Sequence, residues 1–129
     1  MTRFAFIFAV LAAPLAAQDM AFDPAITDQC LADTTTDAAC IGAAANQCMT
    51  DTLGGSSTVG MGGCLYPEYE YWDARLNRSY QKVLAQSKAM DTELEASGVF
   101  MLDIADNLVR MQRSWITFRD AACDYERTL

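Results

Sequence analysis

From Cys64 onward, Leu65, Tyr69, Trp72, Leu76, Tyr80 and Leu84 step by four, three, four, four and four residues. That spacing lines one face of a long amphipathic helix running to about Glu95. Pro67 suits its first turn, and Glu68 and Glu70 complement the positive end of its dipole. Ala96-Ser97-Gly98 offers a break. A second apolar stripe follows, through Phe100, Ile104, Leu108, Met111, Trp115, Phe118 and Ala122. Two long helices joined by so short a break predict an antiparallel hairpin. With the turn centred near residue 96, Leu84 faces Leu108, Tyr80 faces Gln112, Asn77 faces Trp115 and Asp73 faces Arg119. A buried Asp73–Arg119 pair and a hydrogen-bonded cluster of Asn77, Tyr80 and Gln112 would satisfy groups that are otherwise costly to bury.

The N-terminal half has a different texture. Arg3, the apolar run from Phe4 to Ala13 and the small residues up to Ala17 have the layout of a secretory signal peptide. The apolar run is about half the roughly twenty residues that a bilayer-spanning helix needs, so no membrane anchor is expected after cleavage near Ala17. Residues 18–129 are then expected to form a single helical domain, periplasmic or secreted. A short helix is predicted from Pro24 to Ala32. Another is predicted from Asp37 to Thr50, where Cys40, Ala44 and Cys48 share one face. Gly54 to Gly63 holds five glycines in ten residues, a composition that opposes helix and strand alike and predicts a loop. The fold class expected is all-α: a long antiparallel helical hairpin with one or two short disulfide-linked helices before it.

Charge and cysteine content narrow the function. The chain has nine bases and seventeen acids, and removing the first seventeen residues takes away one base and no acid, leaving a side-chain charge of −9. So acidic a surface disfavours nucleic acid and favours cationic partners. The five cysteines, in an exported chain, belong where thiols oxidise. They contain no C-x-x-C pair, so neither a zinc ribbon nor a thioredoxin-type redox motif is suggested. Two disulfides and one leftover thiol is the simplest arithmetic.

Candidate catalytic groups are few. The absence of histidine removes Ser-His-Asp and Cys-His triads and the commonest metal ligand. Neither metal nor cofactor is expected. Glu68 with Glu70, Glu93 with Glu95 and Asp103 with Asp106 are paired carboxylates of the kind that serve in glycoside hydrolysis. On amphipathic helices such pairs sit on a solvated face, and none lies beside a recognisable nucleophile, so no enzyme is expected. The glycine-rich segment lacks the Lys-Ser/Thr ending of a phosphate loop. Ser56, Ser57 and Thr58 within it are candidate partner-binding residues, because a loop closed at its base by a crosslink is inexpensive to hold in place. Tyr69, Trp72 and Tyr80 are expected in the core, with Tyr66 and Tyr71 exposed.

Two blocks carry a resemblance. Cys64-x7-Trp72-Asp73-x2-Leu76-Asn77-x2-Tyr80 and Leu108-x3-Gln112-x2-Trp115-x3-Arg119-Asp120-x2-Cys123 resemble the LprI-like lysozyme-inhibitor family over roughly residues 46 to 126. The resemblance implies a periplasmic or secreted helical domain held by disulfides, with lysozyme as partner and no catalytic residues. Asp73, Leu76, Asn77, Tyr80, Gln112, Trp115 and Arg119 fall on motif positions and are expected to determine the fold. Members often continue to a further cysteine, whereas this chain stops six residues after Cys123. Cys123 is therefore expected to be unpaired, as in a truncated or shortened variant. Pairing of Cys30 with Cys40 and of Cys48 with Cys64 is favoured, with other pairings open. Inhibition of lysozyme by occluding the enzyme is the expected function. The alternative is a structural or interaction protein of the cell envelope that never meets lysozyme.

Overall fold

A computed structural model describes residues 19–33, 35, 37–100 and 103–129; the expected signal peptide lies outside these. The described chain is all helical, without strands. The helices are α1 (Ala25–Asp33), α2 (Ala43–Asp51), α3 (Thr58–Ala96) and α4 (Ile104–Glu126), with a 3₁₀ turn at Asp37–Cys40 between the first two. The chain divides into two compact units, one ending at Glu68 and one beginning at Tyr69. α3 contributes to both.

Within the first unit, each helix start has an identifiable cause. Asp23 caps α1 by accepting the Ala25 amide on Oδ1 (2.9 Å), with Pro24 at the position where its missing N–H costs nothing. The helix expected over Asp37 to Thr50 is interrupted at Gly42, whose φ of 88° is left-handed and ends the 3₁₀ turn. α2 therefore begins at Ala43 with no capping side chain of its own. Cys30–Cys40 and Cys48–Cys64 are disulfide-bonded, and Cys123 is free and exposed. Cys40, Ala44, Ala45, Cys48 and Cys64 are fully buried together with Thr27. Small side chains and sulfur thus form this core, where a larger unit would use Leu or Phe.

The second unit is the hairpin. α3 ends in a Schellman motif: the Val99 amide donates to the Leu94 carbonyl (2.9 Å) and the Gly98 amide to that of Glu95 (3.0 Å). Gly98 takes the left-handed conformation (φ 84°) that this motif requires. The chain then returns as α4. Near the turn, the Asp91 carboxylate on α3 accepts the Ile104 and Ala105 amides of α4, each at 2.9 Å. Far from the turn, Arg119 of α4 lies near enough to Tyr69 and Asp73 for both to favour its charged form. These two points make the helices antiparallel, with Asp73 in the neighbourhood of Arg119. Phe100, expected to open the apolar stripe of α4, precedes the helix and is exposed.

Candidate functional site

The candidate site is the segment bracketed by Cys48 and Cys64. Here the loop expected over Gly54 to Gly63 is corrected: α3 begins at Thr58, so only residues 52–57 turn. Pro67 consequently lies inside the helix, not in its first turn. The reason is local. Ser57 caps the helix, its Oγ accepting the Gly60 amide (3.1 Å) and donating to the Gly54 carbonyl (2.7 Å). The disulfide secures the second turn of the helix. The glycines serve close approach: a Cβ on Gly60 would stand 2.6 Å from the Cα of Gly55, and one on Gly55 2.8 Å from that of Met49. Glycine content here marks backbone-to-backbone packing and not freedom of the chain.

The turn is tied down from several sides. The Gly55 amide donates to the Thr52 carbonyl (2.9 Å) and the Ser57 amide to that of Gly54 (3.0 Å). Buried Thr52 accepts the Ala21 amide on Oγ1 (3.0 Å), pinning the chain before α1 against the turn. Its hydroxyl lies 3.8 Å from Cys48 Sγ; since that sulfur is in a disulfide, Thr52 is the donor. What projects outward is compact. Ser56 and Thr58 are exposed, and Leu53 and Val59 beside them are 87% and 79% exposed. Ser57 is exposed too, but its hydroxyl is committed to the cap. Sequence reasoning missed Leu53 and Val59, whose only signal is that they flank the turn without matching any apolar period.

Glu68 also departs from expectation. Read from the sequence it belongs at a helix start beside solvated Glu70, yet it is 4% exposed, while Glu70 is exposed. Its Oε1 accepts the Gly42 amide and its Oε2 the Ala45 amide, both at 2.6 Å. It is thus the missing cap of α2, a carboxylate set on the positive end of that helix. Asp91 does the same for α4, whose N-cap Asp103 makes no side-chain cap bond. α3 supplies both caps.

The motif residues of the hairpin are placed less deeply than expected. Arg119 is not in a buried pair with Asp73; Nε and Nη2 bond to Asp120 Oδ1 (2.9 and 2.7 Å), and its side chain is 31% exposed. The bond to Asp120 is the chief cause of its raised pKa, and its guanidinium stacks over Trp115, 5.2 Å from the ring centroid. Asn77 is exposed and donates to Asp73 on its own helix (2.8 Å), so the Asn77, Tyr80 and Gln112 cluster does not form. A two-helix seam is too thin to bury all three. Leu76, Tyr80 and Gln112 are half-buried along it, as is Trp72, while Trp115 remains exposed. Tyr69, expected in the core, is exposed like Tyr66, and Tyr71 is half-buried against the edge of Trp72.

No group of metal-ligating side chains occurs among the described residues. Nor is any described helix long and apolar enough to cross a membrane. The lysozyme inhibitor LprI family model matches residues 48–129, from the first cysteine of the bracketed segment to the end of the chain. This chain belongs to the LprI lysozyme-inhibitor family. The match takes in the turn, the Cys48–Cys64 bridge, Glu68 and the whole hairpin, and leaves α1 and the Cys30–Cys40 bridge outside. An uncharacterised protein of Rhizobium meliloti (strain 1021) is 34% identical over 61 residues, which is 47% of this chain and 44% of that relative. The aligned region spans less than half of either protein. No solved structure matches the chain.

Proposed function

We propose that this protein is an exported, non-catalytic inhibitor that binds lysozyme through its disulfide-bound N-terminal unit. Family membership supports lysozyme as the partner. The distribution of charge supports the choice of unit, and it is the observation that carries the reading. Residues 19–68 contain seven acids and no lysine or arginine. Six of the seven, Asp19, Asp23, Asp28, Asp33, Asp37 and Asp51, are exposed; the seventh is Glu68. Residues 69–129 hold ten acids and eight bases, so nearly all of the net charge belongs to the first unit.

Lysozymes are mostly cationic, so an acidic unit meets them by electrostatic steering. Steering brings the surfaces together but does not hold them. Leu53 and Val59, on either side of Ser56, offer the apolar contact that excludes water at the centre of an interface, with exposed Asp51 beside them in the chain. Occlusion of the enzyme's cleft by this rigid turn requires no chemistry from the inhibitor. Two disulfides and an exported setting are consistent with each other.

Calorimetric titration of the purified, oxidised chain into lysozyme tests the electrostatic half of this reading. Affinity is expected to fall steadily as salt is raised, because exposed charges are screened within about 10 Å at 0.1 M ionic strength. Replacing Asp19, Asp33 and Asp51 together by Lys, all exposed and none a helix cap, is expected to weaken binding at low salt and flatten that dependence. Binding of the unaltered chain that ignores salt removes steering from the mechanism.

A further inference from the structure

The hairpin carries an apolar face that α3 and α4 do not use on each other. On α4, Met111, Trp115, Phe118 and Tyr125 are exposed, and with Ala122 they recur at intervals of four, three, four and three residues. On α3, Leu76, Val83 and Met90 recur every seven residues, the last two exposed. At 3.6 residues per turn, both stripes lie mostly within roughly 80° of the seam marked by Tyr80, Ser87 and Asp91 on α3 and by Leu108 and Gln112 on α4. They are displaced in the same rotational sense. In an antiparallel pair, such displacement puts both stripes on one side of the hairpin, with Val83 about level with Met111.

We propose that this face is covered by a second copy of the chain, two hairpins packing face to face as a four-helix bundle. Two observations favour a second copy over another occupant. The residues between the apolar ones, Ser79 and Gln86 on α3 and Asn107, Ser114 and Ala121 on α4, carry no charge, although a fifth of the chain is charged. Apart from Arg119, whose guanidinium lies over Trp115 and is bonded to Asp120, the face is without charge, which makes it largely complementary to itself and leaves little to steer a charged partner. The hairpin's net charge is only −2, against −7 for residues 19–68, so two hairpins approach with little repulsion.

The area is also sufficient. With aromatic side chains of ~150–250 Å² each, Trp115, Phe118 and Tyr125 leave roughly 400 Å² uncovered, within the range of the largest patch on a typical monomer. Met111, Met90, Val83 and the small residues between them bring the face towards the roughly 800 Å² per partner of a standard interface. The proposal does not depend on the identity of the acidic unit's partner.

The test is sedimentation velocity on the full chain across micromolar concentrations, in a Cys123→Ser background that prevents an intermolecular disulfide from imitating association. The result expected is a reversible monomer–dimer equilibrium. Phe118→Glu, at a position 72% exposed, is expected to shift it to monomer without changing the far-ultraviolet dichroism. Met111→Glu serves as a second variant, should the first perturb the helix. A chain monomeric at every concentration overturns the proposal, as do a dimer that persists in both variants and an open-ended series of larger species.

Discussion

Glu68→Ala is expected to destabilise the first unit by about 3 kcal/mol. The two bonds it removes are charge-assisted, and hydrogen bonds to charged groups contribute roughly 1.5–3 kcal/mol each. The lower part of the summed range applies because water recovers some of the loss at a freed helix end. Both amides, Gly42 and Ala45, are left at the start of α2 with no capping side chain, since Gly42 has none to offer. Glu68→Gln should lose most of the same amount, because only one of its two terminal atoms can accept. Glu70→Ala, two residues away and exposed, should change stability by less than about 0.5 kcal/mol. Thermal unfolding of the three variants decides the matter. Equal midpoints for Glu68→Ala and Glu70→Ala would show that α2 does not depend on this cap.

Replacing Cys48 and Cys64 together by alanine is expected to cost about as much again. A crosslink closing a loop of this size contributes about 3 kcal/mol, mostly by restricting the unfolded chain; here the bonded residues are 16 apart. Both sulfurs are buried, so their loss also leaves space in a core that has no large side chain to fill it. For a small domain that is a fall in Tm on the order of 10–20 °C. The functional consequence distinguishes this bridge from the other. Cys48–Cys64 clamps both ends of the turn that presents Leu53, Ser56 and Val59, whereas Cys30–Cys40 ties α1 to the 3₁₀ turn, outside the family match. Loss of the first should weaken lysozyme binding more than loss of the second.

The parts of this fold legible in the sequence were those written in short-range periodicity. The apolar steps of α3 and α4 are helical over many turns, and Gly98 stands where a left-handed residue must end the first of them. The register then followed from chain length alone, and Asp73 does lie near Arg119. What stayed hidden was long-range or sterically determined. Nothing in the neighbourhood of Glu68 says that it reaches Gly42, 26 residues earlier. Asp91 capping a helix 13 residues on is equally silent. Gly55 and Gly60 look like loop residues, because composition cannot tell a glycine needed for freedom from one needed for close contact. At the candidate site, Ser56, Ser57 and Thr58 were found through the tether around them. Leu53 and Val59, both strongly exposed, follow no period and could be recognised only once the turn was built.

The most direct measurement is protection of a bacterial cell-wall suspension from lysozyme, followed by turbidity, with the oxidised chain titrated in and its reduced form as control. Dose-dependent protection is predicted, lost on reduction and weakened by the Asp-to-Lys changes in the first unit. An absence of protection against several lysozyme classes, with the protein folded and oxidised, would contradict the inhibitor reading and favour a partner in the cell envelope instead.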